Sequence, residues 1–410
     1  MRPGPRRRGM TLVELLIVIS VSVLLLAVAV PLLRISVQGR KVREASRQLN
    51  ALITRVKARA AELGRPVGLL LRRGDTAFAT GSFYATQLFV AESPIPYAGD
   101  EATAFARIPA PTAPGIPVRM NPPPAATFTS PLYVEALHRP FTARVQGSAL
   151  LPSIVSVGDM IQFDFKGIVY EILEIVVPDA ANNPDIVDLW FRVPPRRALP
   201  VGVGAPPPMV DVGYQIQRSP VRLGTFSSTG QTTIRTGALP VNLPNGIVVD
   251  LSVSGMEPDF NQFTAADPAD MNTWTPSGTP DDTDIVILFE PDGTVQCVYS
   301  SIYQPGSPPV LRLVRTEPTG TIFLLVGRIE QVLPGGDAFA RGPEEFSNLM
   351  DADNLWVAIA HRTGKVTTAE NNDLVAYAPS VGTPVPPLLM PGLLATARQF
   401  AISAQDIGGR

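Results

Sequence analysis

Apolar positions fall into three regimes along the chain. From Met10 to Leu33 nearly every residue is apolar and Glu14 is the only charge. At 1.5 Å per residue a helix of this stretch covers about 36 Å, enough to cross a hydrocarbon core of about 30 Å. Further on, the apolar residues thin to Val42, Ala45, Leu49, Leu52, Val56, Ala60 and Leu63, with Arg47, Arg55, Lys57 and Arg59 between them. Steps of three and four residues place the first set on one face of an amphipathic helix. Gly64, followed by Arg65-Pro66, is a stop signal. One nearly continuous helix from Thr11 to Leu63 would be roughly 80 Å long, and Pro31 inside it should kink it.

The third regime is β. Pro66–Arg73 reads as a first strand closed by Gly74-Asp75, and the next clear sheet elements come much later. Leu243-Pro244-Asn245-Gly246 is a turn leading into the β-branched run Ile247–Leu251. Asp284–Glu290, Pro291-Asp292-Gly293 and Thr294-Val295 read as strand, turn and return strand. Leu355–Ala360 followed by Arg362–Val366 is another strand with its turn. Between these regions, 75–211 is far longer than a connecting loop needs. Residues 94–124, with Pro122-Pro123-Pro124, read as extended surface chain, whereas Met160–Phe165, Ile168–Leu173 and Ile186–Val193 make three strands of a small inserted β subdomain. The end of the chain begins Pro-rich and finishes with Leu393–Ile407, a short helix or a flexible tail.

Composition sharpens this picture. Pro (43) and Gly (33) are frequent among 410 residues, which excludes a mostly helical body because Pro interrupts helix interiors. The net charge of −2 hides an asymmetry: residues 1–73 carry 15 Lys/Arg against Glu14, Glu44 and Glu62, so the remainder is strongly acidic. A basic stem beside anionic lipid headgroups and an acidic body in solvent fit that division. The stem lacks the interleaved aromatics of a nucleic-acid surface, so no nucleic-acid partner is expected. Cys297 is the only cysteine, which excludes an intrachain disulfide, and its apolar neighbours mark it as a small buried residue.

A carboxylate at membrane depth costs several kcal/mol unless a partner neutralises it, so Glu14 is read as half of an interaction. A cleaved secretory signal would have a shorter apolar core and a small-residue cleavage site, and Pro31-Leu32-Leu33-Arg34 is not one. Cations lie on both sides of the span (Arg2, Arg6, Arg7 and Arg8 before it; Arg34, Arg40, Lys41, Arg43 and Arg47 after it), so charge alone does not orient it. Gly9, followed by Met10-Thr11-Leu12-Val13-Glu14-Leu15-Leu16, with Pro31 at the twenty-second place after the glycine, resembles the class III signal of type IV prepilins and type II secretion pseudopilins. The resemblance implies cleavage after Gly9 by a prepilin peptidase and methylation of the new amino group of Met10, here in place of the commoner Phe. It also implies pairing of Glu14 with the N-terminal amine of a neighbouring subunit in a filament.

The order of the body motifs resembles the minor pseudopilins of the H type and the related FimT-like pilins. The matching stretches are the strand after the stem, Leu243–Leu251, the turn Phe289–Gly293, and Thr363-Gly364-Lys365-Val366. The implied fold is α+β: a long N-terminal transmembrane and amphipathic helix packed on an antiparallel pilin sheet, with a small β subdomain inserted. The expected division is a cleaved leader (1–9), a transmembrane helix (10–33), an amphipathic stem (34–64) and a first strand (65–74). A Pro-rich loop with the insertion (75–211), a pilin-like body (212–378) and a tail (379–410) follow. The implied partners are the prepilin peptidase, other pilins or pseudopilins and an inner-membrane assembly platform. The implied place is a single pass of the inner membrane, with the body in the periplasm.

Candidate chemistry is sparse. Acidic clusters at Asp267/Asp270, Asp281/Asp282/Asp284 and Asp351/Asp353 with Asn354 lack the spacing of a twelve-residue calcium loop, and the last is the best calcium candidate. His138 and His361, the only histidines, lack zinc-site spacing, and neither a phosphate loop nor a nucleophile elbow is present. No cofactor and no enzymatic activity are expected. Two functions compete: a structural subunit of a periplasmic filament, serving type II secretion, a type IV pilus or DNA uptake, and a membrane-anchored binding module built on the inserted strands.

Overall fold

The computed structural model describes residues 12–74, 83–108, 139–156, 158–177, 182–193, 210–222, 225–228, 231–234, 240–256, 263, 283–304, 310–332, 339–340, 346–372, 374 and 390–407. The chain opens with the helix α1 (Leu12–Leu63), followed by β1 (Val67–Arg73) and β2 (Tyr84–Glu92). Next come β3 (Phe105–Ile108), β4 (Arg139–Gln146), a single turn α2 (Leu151–Ile154), β5 (Met160–Phe163), β6 (Val169–Val176), β7 (Val187–Val193), β8 (Val210–Val212) and β9 (Tyr214–Gln217). Short β10 (Val221–Arg222), the hairpin β11 (Thr225–Ser228) and β12 (Gln231–Ile234), and β13 (Val241–Asn242) lead to β14 (Ile247–Met256). The chain continues with β15 (Ile285–Phe289), β16 (Val295–Gln304), β17 (Val310–Thr316), β18 (Ile322–Arg328), β19 (Leu355–Ile359), β20 (Val366–Glu370), α3 (Met390–Ala397) and α4 (Gln399–Ile407).

The fold is α+β, and every strand pairing is antiparallel. The larger sheet runs β17-β16-β15-β1-β2-β14-β18-β19-β20, with β10 and β13 also paired to β2. Side chains alternate across it, as the pleat requires. Leu69 and Leu71 of β1, Ile285, Ile287 and Phe289 of β15, and Leu324 and Val326 of β18 form one core with Val42, Ala45, Leu49, Leu52, Ile53, Val56 and Ala60 of α1. These helix positions include six of the seven expected from the sequence, and Leu63 packs at the margin. On the other face, Val248, Val253, Phe323, Leu325, Trp356 and Ala358 pack with Leu393, Leu394, Ala397 and Ala401 of α3 and α4. A central strand covered on both faces loses period-two alternation in its sequence. For that reason all ten residues of β14 are buried.

The second sheet is built wholly from residues 105–217, in the order β8-β3-β4-β7-β6-β5-β9. Its two end strands, β8 and β9, are consecutive in the chain and separated by Gly213 alone. Val212 pairs with Ala106 while Tyr214 pairs with Phe163, so the sheet closes on itself as a small barrel. Phe163, Tyr170, Phe191, Tyr214, Ile161 and Leu189 fill it, with the rings of Phe163, Tyr170 and Phe191 packed tilted or edge-on at centroid distances of 5.2–5.8 Å. The three strands expected over 160–193 are β5, β6 and β7.

Several boundaries differ from the sequence expectation. β2 was not expected, although it sits at the centre of the larger sheet beside β1; its apolar ends enclose the polar Thr86-Gln87 and no turn dipeptide announces it. Residues 94–108 are not free surface chain: Tyr97 is buried and bridges Ile216, and Phe105–Ile108 is β3. The start of the expected pilin-like body at 212 falls inside the barrel, since β8 and β9 complete it. The expected tail carries α3 and α4, packed on the sheet through an apolar face that includes Leu394 and Ala401.

Candidate assembly site: the projecting helix and its footing

The first turns of α1 project from the body. Leu12, Val13, Leu15, Leu16, Ile17, Val18, Ile19, Val21, Val23, Leu24 and Leu25 are all exposed, from 50% at Val18 to 79% at Leu12. They occur on every side of the helix, so no single face is set aside for the body. Full burial of one such side chain is worth about 1.5–3 kcal/mol, and monomers in water rarely expose a patch this large. The segment is therefore built to be covered by lipid or by other helices. Glu14 lies in the first turn, where the partial positive charge of a helix N-terminus favours an anion.

Gly9 and Met10 lie outside the described residues. Helical structure runs unbroken through Pro31. Among the described residues no helix is long and apolar enough to cross a membrane.

The remainder of α1 is footed on the sheet by a polar seam beside its apolar stripe. Lys41 Nζ donates to the Asn245 carbonyl (3.2 Å), Asn50 Nδ2 to Thr368 Oγ1 (2.9 Å), and Lys57 Nζ to the Gly364 carbonyl (2.9 Å). At the helix end, Glu92 of β2 receives Arg59 Nε at 3.1 Å and an Arg65 guanidinium nitrogen at 2.7 Å, with its side chain only 13% exposed. Gly64, at φ +62°, turns the chain between those two arginines into β1. Lys57 also lies against Gly293, so the Leu243–Gly246, Pro291–Gly293 and Thr363–Lys365 turns, far apart in sequence, all reach α1. Val295 N donates to the His361 carbonyl (2.8 Å), joining the second turn to the third.

The Asp351–Asn354 group is engaged within the fold. Asp351 accepts from Asp353 N (3.0 Å) and pairs with Arg328 (3.6 Å), while buried Asn354 donates to the Asn348 carbonyl (2.9 Å). Among the described residues no three His, Cys, Asp or Glu side chains stand together as a metal site. Asp267, Asp270, Asp281, Asp282 and His138 lie outside the described residues. Cys297 is buried on the outer side of β16, and burial pushes its thiol up to about 11. Such a thiol supplies almost no thiolate at neutral pH.

Sequence reasoning missed a buried polar network under α3 and α4. Asp250 of β14, 2% exposed, accepts from Ser252 N (3.0 Å) and Asn348 Nδ2 (2.9 Å), and burial raises its carboxyl to about 6. Arg398, wholly buried, lies over the rings of Phe323 (4.9 Å) and Trp356 (5.1 Å) and donates to the Val253 carbonyl (2.6 Å). The available signal was the carboxylate of Asp250 inside the apolar run Ile247–Leu251.

Residues 4–30 match the family described as the prokaryotic N-terminal methylation motif, a span that holds Gly9, Met10 and Glu14. No curated protein and no solved structure is significantly similar to the chain. A motif of this kind implies processing by a prepilin peptidase and assembly with other pilins. That motif, opening onto a projecting apolar helix footed on an antiparallel sheet, supports a type IV prepilin-like protein.

Proposed function

We propose that the protein is a structural, non-enzymatic subunit of a periplasmic filament: a minor pseudopilin of a type II secretion system. It is made as a precursor, cut after Gly9 and methylated on the amine of Met10. Residues 10–33 anchor it in the inner membrane, with the body in the periplasm, until it is drawn into the filament. There Glu14 neutralises the N-terminal amine of a neighbouring subunit in a low-dielectric helical core. Removing one member of such a pair costs about 3–5 kcal/mol. The observation that carries this reading is the exposed apolar helix bearing a single carboxylate in its first turn, on a chain with the methylation motif. The H-type assignment rests on the order of the three turns that meet α1.

Replacing Glu14 with Ala tests the role directly. The reading expects loss of incorporation into the filament, and of secretion, at normal protein levels; unchanged incorporation would sink the role given to Glu14. A bulky residue at Gly9 is expected to leave a slower-migrating precursor in the membrane. The closed barrel favours a second reading, a binding platform carried by the same anchor, since it has its own core and none of its described core residues belongs to the core under α1.

A further inference from the structure

The polar network around Asp250 runs from the larger sheet to the C-terminal helices through side-chain hydrogen bonds joined by short backbone steps. Asp250 Oδ2 accepts from Asn348 Nδ2 at 2.9 Å, and Oδ1 accepts from Ser252 N at 3.0 Å and Ser252 Oγ at 2.5 Å. Asn348 is fixed in turn by both backbone groups of Arg328 at 2.7 and 2.9 Å, and its carbonyl accepts from Asn354 Nδ2. Asn371 Nδ2 donates to the carbonyls of Leu349 (2.7 Å) and Asp351 (3.1 Å), and its Oδ1 accepts from Trp356 Nε1 (2.8 Å). The next residue, Asn372, holds the cap: its backbone N–H donates to the Ala397 carbonyl (3.1 Å) and its Nδ2 to the Thr396 carbonyl (3.0 Å). Arg398 closes the circuit on Val253, three residues beyond Asp250.

We propose that the Asp250–Asn348 joint is a proton-sensitive latch on α3 and α4: the helices are held most firmly while the joint is protonated and loosen as it ionises. Among the described residues no Lys, Arg or His pairs with Asp250, so a carboxylate here would be buried on hydrogen bonds alone. The ionisable groups on the flanking elements are Tyr84 of β2, Arg328 and Glu330 at the end of β18, Asp351 after the turn that carries Asn348, and Arg398 between the cap helices. Lys41, on α1, reaches Asn245 at the start of β14 rather than the carboxyl. Arg328 is turned to Asp351 and Arg398 to two aromatic rings, and only hydrogen bonds from Ser252 and Asn348 offset the cost of burial. Burial dominates and lifts the carboxyl from its ordinary 3.8 to about 6. A raised carboxyl pKa means that the folded joint prefers the proton. The extra hold is complete below about 3.8 and is lost as pH rises through about 6.

The test is hydrogen exchange of peptides spanning 390–407 in the full-length chain in detergent micelles, corrected for the intrinsic pH dependence of exchange. The opening equilibrium is expected to rise about tenfold between pH 5 and pH 7.5. Peptides from 42–60 in the same sample serve as the control and stay level. Asp250→Asn should abolish the rise, and Ser252→Ala, which removes a donor to the ionised form, should move its midpoint to higher pH. Equal cap opening at both pH values in the natural sequence overturns the proposal, as does a full rise in Asp250→Asn. Should Asp250→Asn not fold, the natural chain and Ser252→Ala still decide the matter. The outcome is independent of the filament reading, because the latch lies in the body.

Discussion

Gly364 joins three parts of the molecule in one residue. At φ +57° it sits in the left-handed region, its carbonyl accepts from Lys57, and a Cβ on it would overlap the Gly293 carbonyl oxygen. Gly364→Ala should therefore lower unfolding stability by about 2–4 kcal/mol, read as a shift in urea midpoint at unchanged slope. Arg398 is the opposite case, a buried charge set over two aromatic rings and hydrogen-bonded to the Val253 carbonyl. Arg398→Ala removes both and leaves a cavity, so a loss of about 3 kcal/mol or more is expected in the same measurement. Cys297 gives a third test at this scale. A maleimide should leave the native thiol unmodified at neutral pH and label it fully in urea; rapid native labelling would contradict its burial. Of these three residues the sequence marked the glycine turn and the buried cysteine. Arg398 was illegible because its partners lie in strands and turns distant along the chain.

At the scale of elements, α1 was legible nearly to the residue, since its partner is a continuous sheet face and its stripe keeps the helical period. Leu49, wholly buried at the middle of that stripe, should cost about 2–5 kcal/mol on replacement by Ala. Glu92→Gln should cost about 1–3 kcal/mol by weakening two guanidinium contacts and should fray the α1–β1 junction. Hydrogen exchange confined to 59–66 would report that fraying. The barrel shows where reading failed. β5, β6 and β7 announce themselves by apolar runs between turns, whereas β4 and the short closing strands β3, β8 and β9 do not. Closure is a property of pairing, and no local pattern carries it.

For the whole molecule, the folded body is held by two covers on one sheet, α1 on one face and the C-terminal helices on the other, with the barrel carrying a separate core. Among the described residues, the first turns of α1 stand outside both covers. This division explains why the N-terminus was the most legible part of the chain for function and the body the least. A methylation motif is a contiguous string read by an enzyme, whereas the footing and the latch are assembled from distant residues. The most direct measurement is mass spectrometry of the mature N-terminal peptide from protein isolated from its native membrane. The account predicts a peptide beginning at Met10 with a single methyl group on its amine. An intact N-terminus at Met1, or an unmodified amine in assembled protein, would contradict it.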